Sequence, residues 1–161
     1  MTELYTDGGV IQKNPSPYGG TWAWCLVEDN SIIHQDSGII QPIDLGLEKI
    51  SNNVSELYAA MRGLSFLPTE WNGTIHIDSE VTLWRITTSN SFNNVPIFIR
   101  DKVLELRAGK FWKVILLGGH PTKAELKQGY RKRNNLPVSK WNQWCDQECT
   151  RLAEQFLANQ T

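Results

Sequence analysis

The hydrophobic pattern alternates through the first forty residues and turns helical from Asn53 onward, and that order constrains the fold more than any other feature. Three runs read as strands: Glu3 to Asp7, Gly20 to Val27 with Trp22, Trp24 and Leu26 in alternation, and Ile32 to Ile40. Turn-forming segments separate them, Asp7-Gly8-Gly9 and Asn14 to Gly20 before the second, Glu28-Asp29-Asn30-Ser31 before the third. Such short sequential connections predict antiparallel pairing. Beyond them, Leu57, Ala60, Met61, Leu64 and Leu67 form the apolar stripe of an amphipathic helix over Asn53 to Leu67, stopped by Pro68. A short strand (Thr74 to Asp78), a helix (Ser79 to Thr87), a polar loop (Asn90 to Pro96), a helix (Val95 to Ala108), a buried strand (Phe111 to Leu117) and a long helix (Trp141 to Ala158) follow. Strands first, then strands separated by helices, predict an α/β fold with a mixed sheet covered by helices.

With 161 residues, 40% of them apolar and seven Trp, the chain has material for one core, and a single domain over residues 1–161 is expected. The net charge of −1 excludes a simple basic nucleic-acid-binding module. The basic residues are nevertheless uneven: Lys123, Lys127, Arg131, Lys132, Arg133 and Lys140 face only Glu125 between Thr122 and Trp141. That cluster reads equally as a polyanion footprint or as a solvated face. The odd cysteine count (Cys25, Cys145, Cys149), without a C-x-x-C pair or an apolar leader, predicts a reduced, intracellular, cytoplasmic protein. The most apolar stretch, Val114 to Leu117, falls far short of the roughly 20 residues of a membrane span.

In such sheets ligands gather at the carboxyl ends of strands, which directs attention to Asp7 and Asp78. Each acid has an ordinary reading. Asp7 fits an Asp-Gly turn, Glu56 a capping partner three residues after Asn53, Asp78 a helix N-cap, and Asp146 a solvated helix position. Together, four carboxylates brought to one point would repel and hold protons unless divalent cations compensated them. Hard oxygen ligands suit Mg²⁺ or Mn²⁺, and a pair of ions can serve phosphodiester hydrolysis.

The segments Tyr5-Thr6-Asp7-Gly8-Gly9, Asn14-Pro15, Gly19-Gly20, Asn52-Asn53-Val54-Ser55-Glu56-Leu57, Ile77-Asp78-Ser79, Gly119-His120 and Asn142-Gln143-Trp144-Cys145-Asp146 closely resemble, in order and nearly end to end, the pattern of type 1 ribonuclease H. The resemblance implies a ribonuclease H-like five-stranded mixed sheet, strands one to three antiparallel and strands four and five parallel to strand one. It implies that Asp7, Glu56, Asp78 and Asp146 bind two Mg²⁺ ions, with Mn²⁺ as a substitute. The implied reaction is hydrolysis of the RNA strand of an RNA–DNA hybrid, leaving 3′-hydroxyl and 5′-phosphate ends. His120 corresponds to a mobile-loop histidine proposed to assist proton transfer or product release, work suited to a group titrating near neutrality. Asn14, Asn52 and Asn53 match positions near the nucleic acid, where amides can bond the 2′-hydroxyl. The expected partner is the hybrid, with no membrane and no obligatory protein partner, and the chain is expected to be a monomer.

Two departures stand out. Thr87 to Pro96 is neutral where many bacterial members carry a basic, Trp-rich protrusion, and His120 and Asn142 stand 22 residues apart where those members have only a few. The basic insertion at about 122–140 is therefore expected to supply the phosphate grip, with Arg131, Lys132 and Arg133 as contacts. Competing readings are a DNA-directed, resolvase-like nuclease of the same superfold and a non-catalytic hybrid-binding module.

Overall fold

A computed structural model describes residues 1–160. Its sheet runs β3-β2-β1-β4-β5, built from β1 (Glu3–Val10), β2 (Gly20–Glu28), β3 (Ser31–Ile40), β4 (Thr74–Ile77) and β5 (Lys113–Leu116). β1, β2 and β3 are antiparallel neighbours, while β4 pairs parallel to β1 and β5 parallel to β4. The helices are α1 (Asn52–Phe66), α2 (Glu80–Arg85), α3 (Ile97–Arg107), α4 (Lys123–Gln128) and α5 (Lys140–Ala158), with a short 3-10 turn at Pro42–Leu45.

Alternation along β2 explains how the layers assemble. Trp22, Trp24 and Leu26 point to one face and join Leu4, Leu57, Ala60, Leu64, Ile75 and Ile77 in a core roofed by α1 and α3. Ala23, Cys25 and Val27 point to the other, where Tyr5, Cys145 and Cys149 pack. Small residues on that face let α5 approach so closely that the Cys25 and Cys145 sulfurs lie 4.0 Å apart. Fully burying each large aliphatic side chain contributes about 1.5–3 kcal/mol, so the central strands are fixed from both sides.

Most predicted elements lie where the pattern placed them, with three instructive differences. β1 continues to Val10, so Asp7 lies inside a strand, paired with Ala23, instead of closing it. Gly8 and Gly9 form no turn: they pair with Trp22 and Thr21, and a β-carbon on Gly8 would overlap the backbone of Ser55 and Glu56 in α1. The glycines mark a close helix–strand approach. The N-cap of α1 is Ser51, whose hydroxyl accepts from the Val54 amide, so Asn53 is no cap and Glu56 no capping partner. The third difference is α4, a helix within the insertion that was not expected. Its signals were in the sequence: Thr122 and Glu125 form a reciprocal capping box, and Gly129 closes the other end at φ 93°.

Among the described residues no helix is long and apolar enough to cross a membrane.

Candidate active site

The site lies where two parallel strands separate. β1 pairs with β4 only from Glu3 to Tyr5, and beyond that point the edge of β1 opens into a cleft of about 720 Å³. Asp7 stands on this open stretch, Glu56 enters from the second turn of α1, and Asp78 follows the last residue of β4. One oxygen from each lies within 4.8 Å of the others. Ser79, not Asp78, caps α2 by accepting from Thr82, which leaves the Asp78 carboxylate to the cleft. Asp146 projects from α5 into the same cleft, opposite His120, with His120 Nδ1 at 3.6 Å from Asp146 Oδ2.

Burial and mutual repulsion govern the chemistry. Asp7 and Glu56 are 3% and 4% exposed. Burial first, then the charges of Glu56 and Asp78, raise the Asp7 carboxyl well above the usual carboxylate range. Glu56 is raised by burial and then by Asp78. Asp78 is raised by burial too, against the opposing hydrogen bond from Asn142, whose Nδ2 donates to Asp78 Oδ2 at 3.2 Å. Glu56 Oε2 is buried and has no hydrogen-bond partner. A buried, unpartnered carboxylate oxygen among acids of like charge fits a hard divalent cation, which would supply the missing partner and the compensating charge.

The other predicted residues are distributed unevenly. Asn52 and Asn53 line the cleft, while Asn14 stands exposed behind Asn52 and accepts its backbone N–H at 3.0 Å. Arg131 lines the cleft, whereas Lys132 and Arg133 are exposed and do not line it. The imidazole of His120 is 81% exposed and so in contact with solvent.

Three features go beyond the residues singled out from sequence. Asn142, present in the sequence motif but without a role there, fixes the Asp78 carboxylate. Gly119 comes so close to Asp78 that an added β-carbon would lie 3.0 Å from Oδ2. Arg85 and Arg107 hold the neutral α2–α3 loop by donating to backbone carbonyls of Ser91 and Ser89. Only Asn142 had a usable signal, its spacing of one helical turn from Asp146.

No family model and no curated protein sequence matches the chain. Solved structures do match, along almost the whole length. The N-terminal RNase H domain of a Mycobacterium tuberculosis protein, determined as a fusion with maltose-binding protein, superposes with a TM-score of 0.64 at 12% identity, over 99% of this chain and 98% of that one. RNase H1 of the halophilic archaeon Halobacterium salinarum gives 0.62 at 17% identity, over 96% and 98%. LC11-RNase H1, solved in complex with an RNA/DNA hybrid, gives 0.61 at 14% identity, over 98% and 99%. The chain therefore has the ribonuclease H-like fold, a five-stranded mixed sheet flanked by helices.

Proposed function

We propose that this protein is a metal-dependent endoribonuclease that hydrolyses the RNA strand of RNA–DNA hybrids and leaves 3′-hydroxyl and 5′-phosphate ends. The observation that carries the reading is the group formed by Asp7, Glu56 and Asp78, drawn within 4.8 Å and largely buried at the edge of an open cleft. A fold does not select a reaction, but concentrated, uncompensated negative charge beside a solvent-open groove is specific to few chemistries.

In this reading Asp7, Glu56, Asp78 and Asp146 hold Mg²⁺, two ions per site, with Mn²⁺ as a substitute. When bound, such ions neutralise the acids, lower the pKa of water and stabilise charge developing on a phosphodiester. The protein's own contributions follow from the side chains. Asn142 orients Asp78 through its amide N–H, which keeps one carboxylate oxygen in a fixed direction. His120, beside Asp146 and open to solvent, can pass a proton to the departing 3′ oxygen and recover one from bulk water. In this reading Asn52 and Asn53, which line the cleft, bond the 2′-hydroxyl that distinguishes RNA from DNA, and Asn14 steadies the start of α1. Lys132 and Arg133, both exposed, are the phosphate contacts in this reading. One domain carries all these parts, and no protein partner is required.

The test is cleavage of a labelled RNA–DNA hybrid beside matched RNA–RNA and DNA–DNA duplexes, with Mg²⁺, Mn²⁺ or chelator, for the natural sequence and Asp7→Asn. Metal-dependent cutting confined to the RNA strand of the hybrid and lost in Asp7→Asn is the expected result. Equal cutting of duplex DNA, or hybrid binding without cutting, overturns it.

A further inference from the structure

The segment between His120 and Asn142 folds back on the turn that precedes it. α4 is capped at both ends, and the chain beyond it pairs with itself, Arg131 N–H to Leu136 O at 2.8 Å and Val138 N–H to Gly129 O at 3.1 Å. Its return strand reaches the turn itself, where the Gly118 N–H donates to Pro137 O at 2.8 Å. The insertion is thus a small ordered unit with one face against residues 118–120.

Arg131 is the side chain that joins the two. Its Nη1 donates to the Gly119 carbonyl at 2.6 Å, and its stem covers Gly118 so tightly that a β-carbon there would overlap Cγ and Cδ. Glu125 stands behind it. Its side chain is 11% exposed, and the carboxylate accepts the Thr122 and Lys132 amides at 3.0 Å each and lies 3.9 Å from Arg131 Nε, a buried nitrogen with no hydrogen bond. A guanidinium serving as a phosphate grip would present its fork to solvent, whereas the Arg131 side chain is only 26% exposed and one arm is committed to a carbonyl.

What the contact holds is also specific. His120 adopts φ 51°, in the left-handed region that few non-glycine residues occupy. Gly119, the acceptor for Arg131, is the residue that abuts Asp78, and His120 is the one that faces Asp146.

We propose that Arg131 is a positioning residue: Glu125 fixes its guanidinium against the Gly119 carbonyl, and that contact sets the Gly118–His120 turn against the two carboxylates. The insertion then works as a brace for the histidine turn, while Lys132 and Arg133 carry the phosphate contacts. This inference deepens the nuclease reading and depends on it for its catalytic consequence, though not for its structural one.

The experiment compares the natural sequence with Arg131→Ala, Arg131→Lys, Glu125→Gln and the double variant Lys132→Ala/Arg133→Ala. Steady-state cleavage of a hybrid is measured at several salt concentrations, and backbone amide exchange of residues 118–120 is measured without substrate. Misplacing a catalytic group by about 1 Å can lower rates on the order of 100-fold, so Arg131→Ala should reduce kcat about 10- to 100-fold. KM should stay within about twofold and the salt slope should not change, because no phosphate contact is lost. Exchange of the Gly118 amide, the one of the three that is hydrogen-bonded, should quicken about tenfold or more once local opening is easier. Arg131→Lys, which retains a charged donor group, should recover part of kcat, and Glu125→Gln should shift kcat and exchange in the same direction by less.

A raised KM with kcat intact and a salt slope shallower by about 1 would make Arg131 a phosphate ligand and overturn the proposal. Unchanged exchange at Gly118 would overturn it as well. Should Arg131→Ala fail to fold, Arg131→Lys and Glu125→Gln decide by the same criteria. If the natural sequence cuts no hybrid, the nuclease reading fails on its own, and the exchange comparison still decides whether Arg131 braces the turn.

Discussion

Replacing Asp7 by Asn should make the metal-free protein more stable while removing its activity. Asp7, Glu56 and Asp78 offer oxygens within 4.8 Å of one another, and two unit charges at that distance repel by about 3 kcal/mol at an effective dielectric of roughly 20. Asp7 takes part in two of the three pairs. Because the carboxyls of all three are raised, protons relieve part of this repulsion, and a net gain of about 1–3 kcal/mol is expected at pH 8. Asn keeps the shape and the oxygen that accepts the Gly8 N–H, so no new defect offsets the gain. For a chain of this size that is a rise in Tm of about 3–10 °C.

The direction with pH follows from the same shifts. Carboxyls that titrate higher in the folded chain than in the unfolded one bind more protons when folded, so their contribution to stability falls as pH rises above about 4. In chelator, the natural sequence should therefore lose stability relative to Asp7→Asn between pH 5 and pH 8. Taking the difference between the two proteins cancels other titrating groups such as His76. Mg²⁺ at 100 times its dissociation constant should restore about 2.7 kcal/mol to the natural sequence and much less to the variant. Thermal melts of both proteins at four pH values, in chelator and in Mg²⁺, measure all of this. A variant that melts at or below the natural sequence at pH 8 in chelator refutes the account of the site as stored repulsion.

Other changes test neighbouring parts of the argument. Gly8→Ala should abolish cleavage and lower stability by about 2 kcal/mol or more, since its β-carbon meets α1 backbone that no rotamer change can clear; a melt and an activity assay check this. Gly118→Ala should reproduce the kcat loss of Arg131→Ala, because the added methyl displaces the Arg131 stem; unchanged kcat would sever that link. The double variant Lys132→Ala/Arg133→Ala should flatten the log–log salt dependence of hybrid binding by about 2 while leaving kcat within about threefold, measured by titration at four ionic strengths. Cys145 and Cys149 should resist thiol reagents in the folded protein and react after denaturation, as burial pushes both thiols up.

The fold was legible because its core residues obey their local periods. β2 could be recognised from Trp22, Trp24 and Leu26, and α1 from its stripe ending before Pro68, because each buries one face against the other. β4 and β5 were harder, being four residues each, and their parallel order follows only from the helices between them. What local pattern could not disclose is that Asp7-Gly8-Gly9 lies in a strand. An Asp-Gly pair has the chemistry of a turn, and only the arrival of Ser55 and Glu56 from α1 makes glycine necessary there for a different reason. The ordinary readings of Glu56 and Asp78 failed likewise, because Ser51, two residues before the suspected cap Asn53, and Ser79, next to Asp78, took the capping work.

The insertion shows the limit from the other side. Read as charge, Arg131, Lys132 and Arg133 are one basic run, and nothing in sequence separates them. In the folded chain the backbone turns between Tyr130 and Pro137, which send Arg131 inward to the Gly119 carbonyl and leave its two neighbours outside. A turn at residues 132–134 follows Arg131 directly, so the side chains of Lys132 and Arg133 leave a reversing backbone while that of Arg131 stays against residues 118–119. The three like charges thus differ in setting, Arg131 partly buried with one arm bonded to the Gly119 carbonyl, Lys132 and Arg133 exposed. A salt titration of single variants separates them: Arg133→Ala should change the slope by about 1, and Arg131→Ala should not change it.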